Sequence, residues 1–539
     1  MRAPQLTHVI FNRFEPKAMP ILIFFFVLVP LASSMILLAH LPLMIALPVA
    51  FTTYFSALLT SIGLYRLSPF HPLSRYPGPI KLKLSSLFVY HMAIKGDRHK
   101  YIQRLHEEYQ SDVLRIGPNE LIFREASAIA PMMGTDGLAK GPGYDGRSLF
   151  RVHRNLISWT DPVQHFKRRK AWTRGTNTVA LKDYEPVIAA RASQLVDLLL
   201  RRSGGTVNLS ECICYFAFDF MGDMAFGGGY EFMQEGDVRG TLHAMEGSIK
   251  VGMLMESIPW FSYHMHLIPS IATRFRNFSA VGKARATQRI QKGALVKDLF
   301  HYLNNDDGAE PVNPTLEVVS AEGALVILAG SHTTSGVLSS VMYLLAKYPE
   351  VYKKLQQEVD KFYPPGEDAL DNKYYVEMRY LEAVINETLR LYAIQPSGSQ
   401  RATRAEGVQI GSHYVPPNTS VRINTWSMQR DPRNFSPSPE SFWPERWLIA
   451  EDPSTYKGST PFVHNVSAFI PFSYGPANCV GKGLAWKEMK MVLCHLTQQV
   501  EVRFAEGYVV SEYERDMKDW FAVHVSRLPV VVTPRSANA

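Results

Sequence analysis

Pro471-Phe-Ser-Tyr-Gly-Pro-Ala-Asn-Cys-Val-Gly481 is the stretch on which the fold turns. It sets one cysteine in a short, glycine-flanked loop directly before an apolar helical segment at 484–496. A cysteine so placed can be held as a thiolate and can ligate iron. Backbone N–H groups and the positive end of the following helix both favour the charged sulfur. Gly475 lets the backbone turn sharply. Gly481 lets N–H groups approach the sulfur, and Phe472 is placed to keep water off it, which tunes a bound metal.

Other motifs lie upstream in a fixed order. Glu387 and Arg390, at i and i+3, share one helix face. Phe442-Trp-Pro-Glu-Arg446-Trp447 follows about 55 residues on. Ala329-Gly-Ser-His-Thr-Thr334 lies inside a long helical pattern at 316–348, where small residues leave room and hydroxyls bend the helix or relay protons. His165 and Arg169 stand four apart in the basic run His165-Phe-Lys-Arg-Arg-Lys170. Together these segments resemble the cytochrome P450 superfamily, in particular its fungal, microsomal-type, membrane-bound monooxygenases. Residues 472–481 match the haem loop Phe-x-x-Gly-x-x-x-Cys-x-Gly, and 387–390 match Glu-x-x-Arg. Residues 444–447 match Pro-Glu-Arg-Phe, with Trp447 in the aromatic place; 329–334 match the oxygen-activation motif.

The resemblance covers roughly 67–530 and implies a mainly α fold with small β-sheets. It implies haem b (iron protoporphyrin IX) with Cys479 as the axial iron ligand, and thiolate ligation favours O–O cleavage. It also implies a buried ion network of Glu387, Arg390 and Arg446, proton delivery by Thr333, and haem propionates held by His165, Arg169 and Arg401. Two positions depart from the family pattern. His332 replaces the usual carboxylate; histidine titrates near neutral pH and is expected to relay protons. Ala477 stands where the family often has an Arg or His contact to a propionate.

Composition fits this reading. The 539 residues are 46% hydrophobic and 20% charged, with net charge +8 and only four cysteines. Four cysteines make no disulfide framework. Cys212-x-Cys214 lacks a second ligand pair, and Gly227-Gly-Gly229 reads as a turn rather than a phosphate loop. The basic balance points to an anionic neighbour; without nucleic-acid motifs, no nucleic acid is expected. Lys167, Arg168, Lys170, Arg174, Lys482, Lys487 and Lys490 are expected to form a positive patch for an acidic donor, by resemblance an NADPH–cytochrome P450 reductase.

From Ala18 through Tyr65 there is no Asp, Glu, Lys or Arg. That length suits two membrane spans, placed at 19–39 and 43–65, with a break near Pro42. Basic residues on both flanks favour both ends in the cytosol, and the resemblance implies the endoplasmic reticulum as the host membrane. The expected organisation is an anchor at 1–66, a proline-rich hinge at 67–80 and a catalytic domain at 81–539. Helical patterns at 187–201, 316–348, 351–362 and 380–392 dominate that domain. A small hydrophobic substrate is expected, with Phe150, Phe232, Met253, Met255, Trp260, Phe261 and Ile394 in or beside its pocket. The expected reaction inserts one atom of O2 into that substrate, with electrons from NADPH. Two alternatives stay open at this point: a haem-thiolate isomerase, dehydratase or peroxygenase needing no reductase, and a non-enzymatic haem-binding protein.

Overall fold

The computed structural model describes residues 2–147, 154–238, 240–293, 296–520 and 522–535, without the side chains of 248, 249, 274, 275 and 278. Phe150 therefore lies outside the described residues. The protein is mainly helical with small sheets. The helices fall where periodicity places them: Leu316–Lys347, Pro349–Phe362 and Arg379–Leu391 match to within two residues, while the 187–201 pattern is the second half of Thr178–Arg201.

Leu316–Lys347 is the central helix. Its second half, from Thr334 to Leu345, is buried without a break. That explains why it is apolar on every side although it crosses no bilayer: protein surrounds it. Leu209–Phe226 packs along it closely, since a Cβ on Gly330 would meet Met221 Cε at 2.4 Å. The glycine therefore makes room for a neighbouring helix, not for a cofactor as its motif suggests. Gly227, Gly228 and Gly229 all have positive φ and form the turn that ends Leu209–Phe226.

The largest sheet has five strands in the order Val113–Gly117, Glu120–Phe123, Ser420–Ile423, Arg401–Ala402, Ala139–Lys140. Its last pairing is antiparallel and sets Lys140 opposite Arg401. A second sheet joins Val500–Phe504, Pro529–Pro534 and Thr206–Asn208. A hairpin, Lys518–Trp520 with Ala522–His524, packs beside the central helix.

At the N-terminus, Met19–Leu37 and Leu43–Leu67 are long and apolar enough to cross a membrane. The first contains a π-helical turn at Phe24–Leu28. An additional helix, Arg2–Phe14, precedes them and packs on the second span, where Thr7 Oγ1 meets Tyr54 OH at 2.7 Å and His8 Nδ1 meets Ser61 Oγ at 2.9 Å. The proline-rich segment that follows is no slack tether. Leu73 and Tyr76 are buried in the core beneath the five-stranded sheet. Arg115, fully buried on the first strand, donates through Nη1 to Arg66 O at 3.0 Å and through Nη2 to Pro118 O at 2.8 Å, and its backbone N–H donates to Pro77 O at 2.7 Å.

Candidate active site

The cysteine loop holds its shape by backbone geometry. Gly475 has φ +72°, and a Cβ there would sit 1.9 Å from Met133 O, so no larger residue fits. The Cys479 N–H donates to Phe472 O at 2.9 Å. The ring of Phe472 lies 6.3 Å from that of Trp486, with Lys482 Nζ 5.9 Å above it. Helix Lys482–Gln499 begins directly after Gly481. Cys479 is exposed by surface area, yet burial pushes its thiol up. Both hold if the sulfur faces an internal space rather than the outer surface. The Gly481 backbone N–H, Arg169 and Lys482 act against that burial and favour the thiolate. Metal coordination would complete the deprotonation.

Glu387, Arg390 and Arg446 are all fully buried. Arg390 grips Glu387 in a fork, with Nε to Oε2 and Nη2 to Oε1 both at 2.9 Å. Arg446 Nε donates to Glu387 Oε1 at 2.9 Å. The arginines then reach backbone carbonyls of the 429–441 segment: Arg390 Nη1 donates to Gln429 O and Pro439 O, and Arg446 Nη2 to Ser438 O. Trp447 Nε1 donates to Glu387 Oε2 at 3.0 Å, a bond that phenylalanine, the family's residue there, cannot make. The charged trio predicted from sequence thus comes together and is answered within the chain.

A second set of cations is not. Lys140 Nζ lies 3.2 Å from His165 Nδ1 and donates to Leu156 O and Ile157 O. Buried Arg401 has no partner for Nε, and His165 has none for Nε2. Burial, then Arg401, Arg147 and Arg169, pushes Lys140 down to about 7. Burial and then Lys140 push His165 down to about 4. The carboxylate acting on Lys140 is Glu322, already taken by Arg168 Nε, Trp172 Nε1 and the Leu156 N–H. Such a crowd is costly unless an anion completes it, and a cofactor bearing two carboxylates fits these donors. Arg169 is only half-buried and holds the loop itself, donating Nη1 to Asn478 O and Nη2 to Asn478 Oδ1, both at 2.8 Å.

On the central helix, Ala329 is exposed and Gly330, His332 and Thr333 are half-exposed, amid buried neighbours. Ala329 and Thr333 therefore open onto an inner space. Thr333 Oγ1 donates to Ala329 O at 2.7 Å, which leaves its oxygen free to accept. His332 differs from expectation. Burial pushes it down to about 4, so its ring is uncharged at neutral pH and lies edge-on to Phe218. The basic patch is also smaller than its sequence implies. Arg168 turns inward to Glu322, Arg174 pairs with Asp307 and Glu310, Lys487 with Glu185, and Lys490 with Glu382. Only Lys167, Lys170 and Lys482 are left exposed without an ion pair among the described residues. Of the apolar residues expected near substrate, Phe232 is instead stacked in the core against Tyr230, and Trp260 is on the surface at 53% exposure.

Two further residues carry weight that sequence reasoning missed. One is Lys140. The other is Glu488, fully buried on Lys482–Gln499, where burial pushes its carboxyl up to about 8 against an opposing hydrogen bond from Thr334. A lone acid among Leu484, Met491 and Val492 is the signal that marks it.

Comparison with known proteins agrees with this geometry. The sequence profile described as Cytochrome P450 matches residues 76–523. The chain is 32% identical over 483 residues to cytochrome P450 monooxygenase FCK2 of Fusarium pseudograminearum, covering 89% of this chain and 85% of that one. It is 30% identical over 489 residues to tryprostatin B 6-hydroxylase of Aspergillus fumigatus (90% and 84% covered). It is 29% identical over 487 residues to cytochrome P450 monooxygenase nodW of Hypoxylon pulicicidum (90% and 87%). The chain belongs to the cytochrome P450 family. It is an enzyme of the monooxygenase class, which uses haem iron, a redox partner and hydrophobic substrates, and its apolar N-terminal helices fit a membrane anchor.

Proposed function

We propose that this protein inserts one oxygen atom from O2 into a small hydrophobic substrate of fungal specialised metabolism. In this reading, Cys479 ligates the iron of haem b, and Lys140, Arg401 and His165 hold its propionates. Lys140 then supplies the cation that Ala477 lacks, while Arg169 anchors the cysteine loop. When bound, the haem carries out the activation of dioxygen. The chain's own part is to shield the sulfur, orient the substrate and deliver protons. Thr333, its oxygen open to accept, positions the donor that delivers protons to the reacting side, and uncharged His332 relays them. The printed name of the tryprostatin B 6-hydroxylases supports hydroxylation as the reaction type.

The observation that carries the reading is the cysteine loop, glycine-tight and arginine-clamped, beside Lys140 and Arg401, which make no ion pair among the described residues. Reduced protein treated with carbon monoxide should show the long-wavelength Soret band of thiolate-ligated haem, and Cys479→Ser should lose it. A substrate-bound preparation should consume NADPH only with a reductase; turnover without either would overturn the monooxygenase reading. His332→Ala should divert reductant from product to peroxide, and unchanged coupling would remove His332 from the pathway.

We place residues 1–66 in the membrane of the endoplasmic reticulum as a hairpin, with 67–80 as a hinge and the domain from 81 onward facing the cytosol. Electrons come from an NADPH–cytochrome P450 reductase. With only Lys167, Lys170 and Lys482 unpaired, reduction should slow with added salt, but modestly.

A further inference from the structure

His332, His524 and Glu246 come from three separate elements: the central helix, the hairpin strand Ala522–His524 and the helix Thr241–Met255. One ligand atom from each lies within 4.8 Å of the others. All three residues are half-buried. His332 Nε2 has no hydrogen-bond partner, and Phe218 fixes the ring, 5.2 Å away and at 89° to it. Polar atoms converging in this way are unfavourable in an otherwise apolar interior unless something joins them.

We propose that Glu246, His332 and His524 form a binding site for a divalent transition-metal ion, with Zn2+ the best match. Two imidazoles and one carboxylate suit Zn2+ and its first-row neighbours, whereas Mg2+ and Ca2+ take oxygen ligands. Metal–ligand bonds of roughly 2.0–2.2 Å set such ligands about 3.4 Å apart. The three groups need to close by little more than about 1 Å, within reach of side-chain rotation.

Surrounding charges permit a cation. Lys250, one turn beyond Glu246, is drawn over the Trp520 ring, 4.2 Å from its centroid. Lys518 pairs with His524 across the hairpin. His243 lies near Glu246, as does Asp237, whose carboxylate caps the backbone N–H groups of Leu242 and His243. Metal in this site would tie Thr241–Met255 and the hairpin to the central helix, one turn or less from Thr333. It would also take His332 out of any proton transfer, so occupation would inhibit turnover.

The test uses full-length, haem-loaded protein in detergent. The protein is cleared of loosely held metal with a chelator, incubated with Zn2+ and passed through a sizing column, and zinc is counted per haem. Retention of stoichiometric zinc is expected. Glu246→Gln and His524→Ala should each weaken binding by at least roughly tenfold, since even second-shell changes cost that much. Haem content and the reduced carbon monoxide spectrum should not change in either variant. No retained zinc, or equal retention by both variants, overturns the site. Neither readout depends on turnover or on Cys479, so failure here is distinct from failure of the proposed function.

Discussion

Two groups of cations are built on opposite rules. Arg390 and Arg446 share Glu387, and the other donors of Arg390, with Arg446 Nη2, reach backbone carbonyls. Lys140 and Arg401 face each other across two strands, and neither makes an ion pair among the described residues. Like charges in register destabilise a sheet. The first group is a finished joint that holds the chain to itself. The second is half of a contact whose other half arrives from outside. Whether the chain answers its own buried charge separates support from binding, even where the residue types are the same.

The largest effect should come from breaking the finished joint. Glu387→Ala leaves two buried arginines without a carboxylate, and Arg390→Ala strips Glu387 of its forked partner, each at a cost of about 3–5 kcal/mol. Haem incorporation should be abolished, read as the haem-to-protein ratio; normal haem content would show that the loop stands without the network. Glu488 extends the comparison to an unpaired acid. Its folded carboxyl titrates near 8 and its unfolded one near 4.5. The unfolded state therefore loses its proton first, and stability falls as pH rises from about 4.5 to about 8. Glu488→Gln should remove that slope and raise stability at neutral pH by a few kcal/mol, since each tenfold change in proton affinity is worth about 1.4 kcal/mol. Melting temperatures at pH 5 and pH 8 measure it, and an unchanged slope would place the titration elsewhere.

Lys140→Met should do opposite things to two forms of the protein. Haem release should quicken by roughly tenfold, the worth of one charge-assisted contact of about 1.5 kcal/mol. The haem-free protein should be no less stable, because a repulsion with Arg401 has gone. Equal destabilisation of both forms would make Lys140 a structural residue like Arg446. The smallest effect belongs to Trp447→Phe, which loses one hydrogen bond to Glu387, worth about 1 kcal/mol by denaturant unfolding, with haem retained.

What could be read from sequence was local or rigidly spaced. Cys479 and its glycines, the Glu387–Arg390 helix face and the apolar runs each carry their signal within a few turns. Lys140 carries none. It reaches Arg401 only through a pairing of two-residue strands far apart in the chain, and no local pattern encodes that register. Charge direction was equally illegible. The run around Arg168 looks uniformly basic, but Glu322 and Asp307 draw two of its members away. His332 could be recognised as a substitution, while its loss of charge comes from burial and from His524 on a distant hairpin. The helix Arg2–Phe14 is hidden in the sequence because its basic residues read equally well as flanks of the spans.

Arg115 has a mechanical consequence. Its side chain reaches the last turn of the second span at Arg66 O, and its backbone N–H holds the proline segment at Pro77 O. Tilt of that span in a bilayer is thereby transmitted to the five-stranded sheet as a lever arm, and the edge strand Ala139–Lys140 belongs to the same sheet. The angle at which the molecule rides on its membrane and the position of the strand that carries Lys140 are therefore geared together.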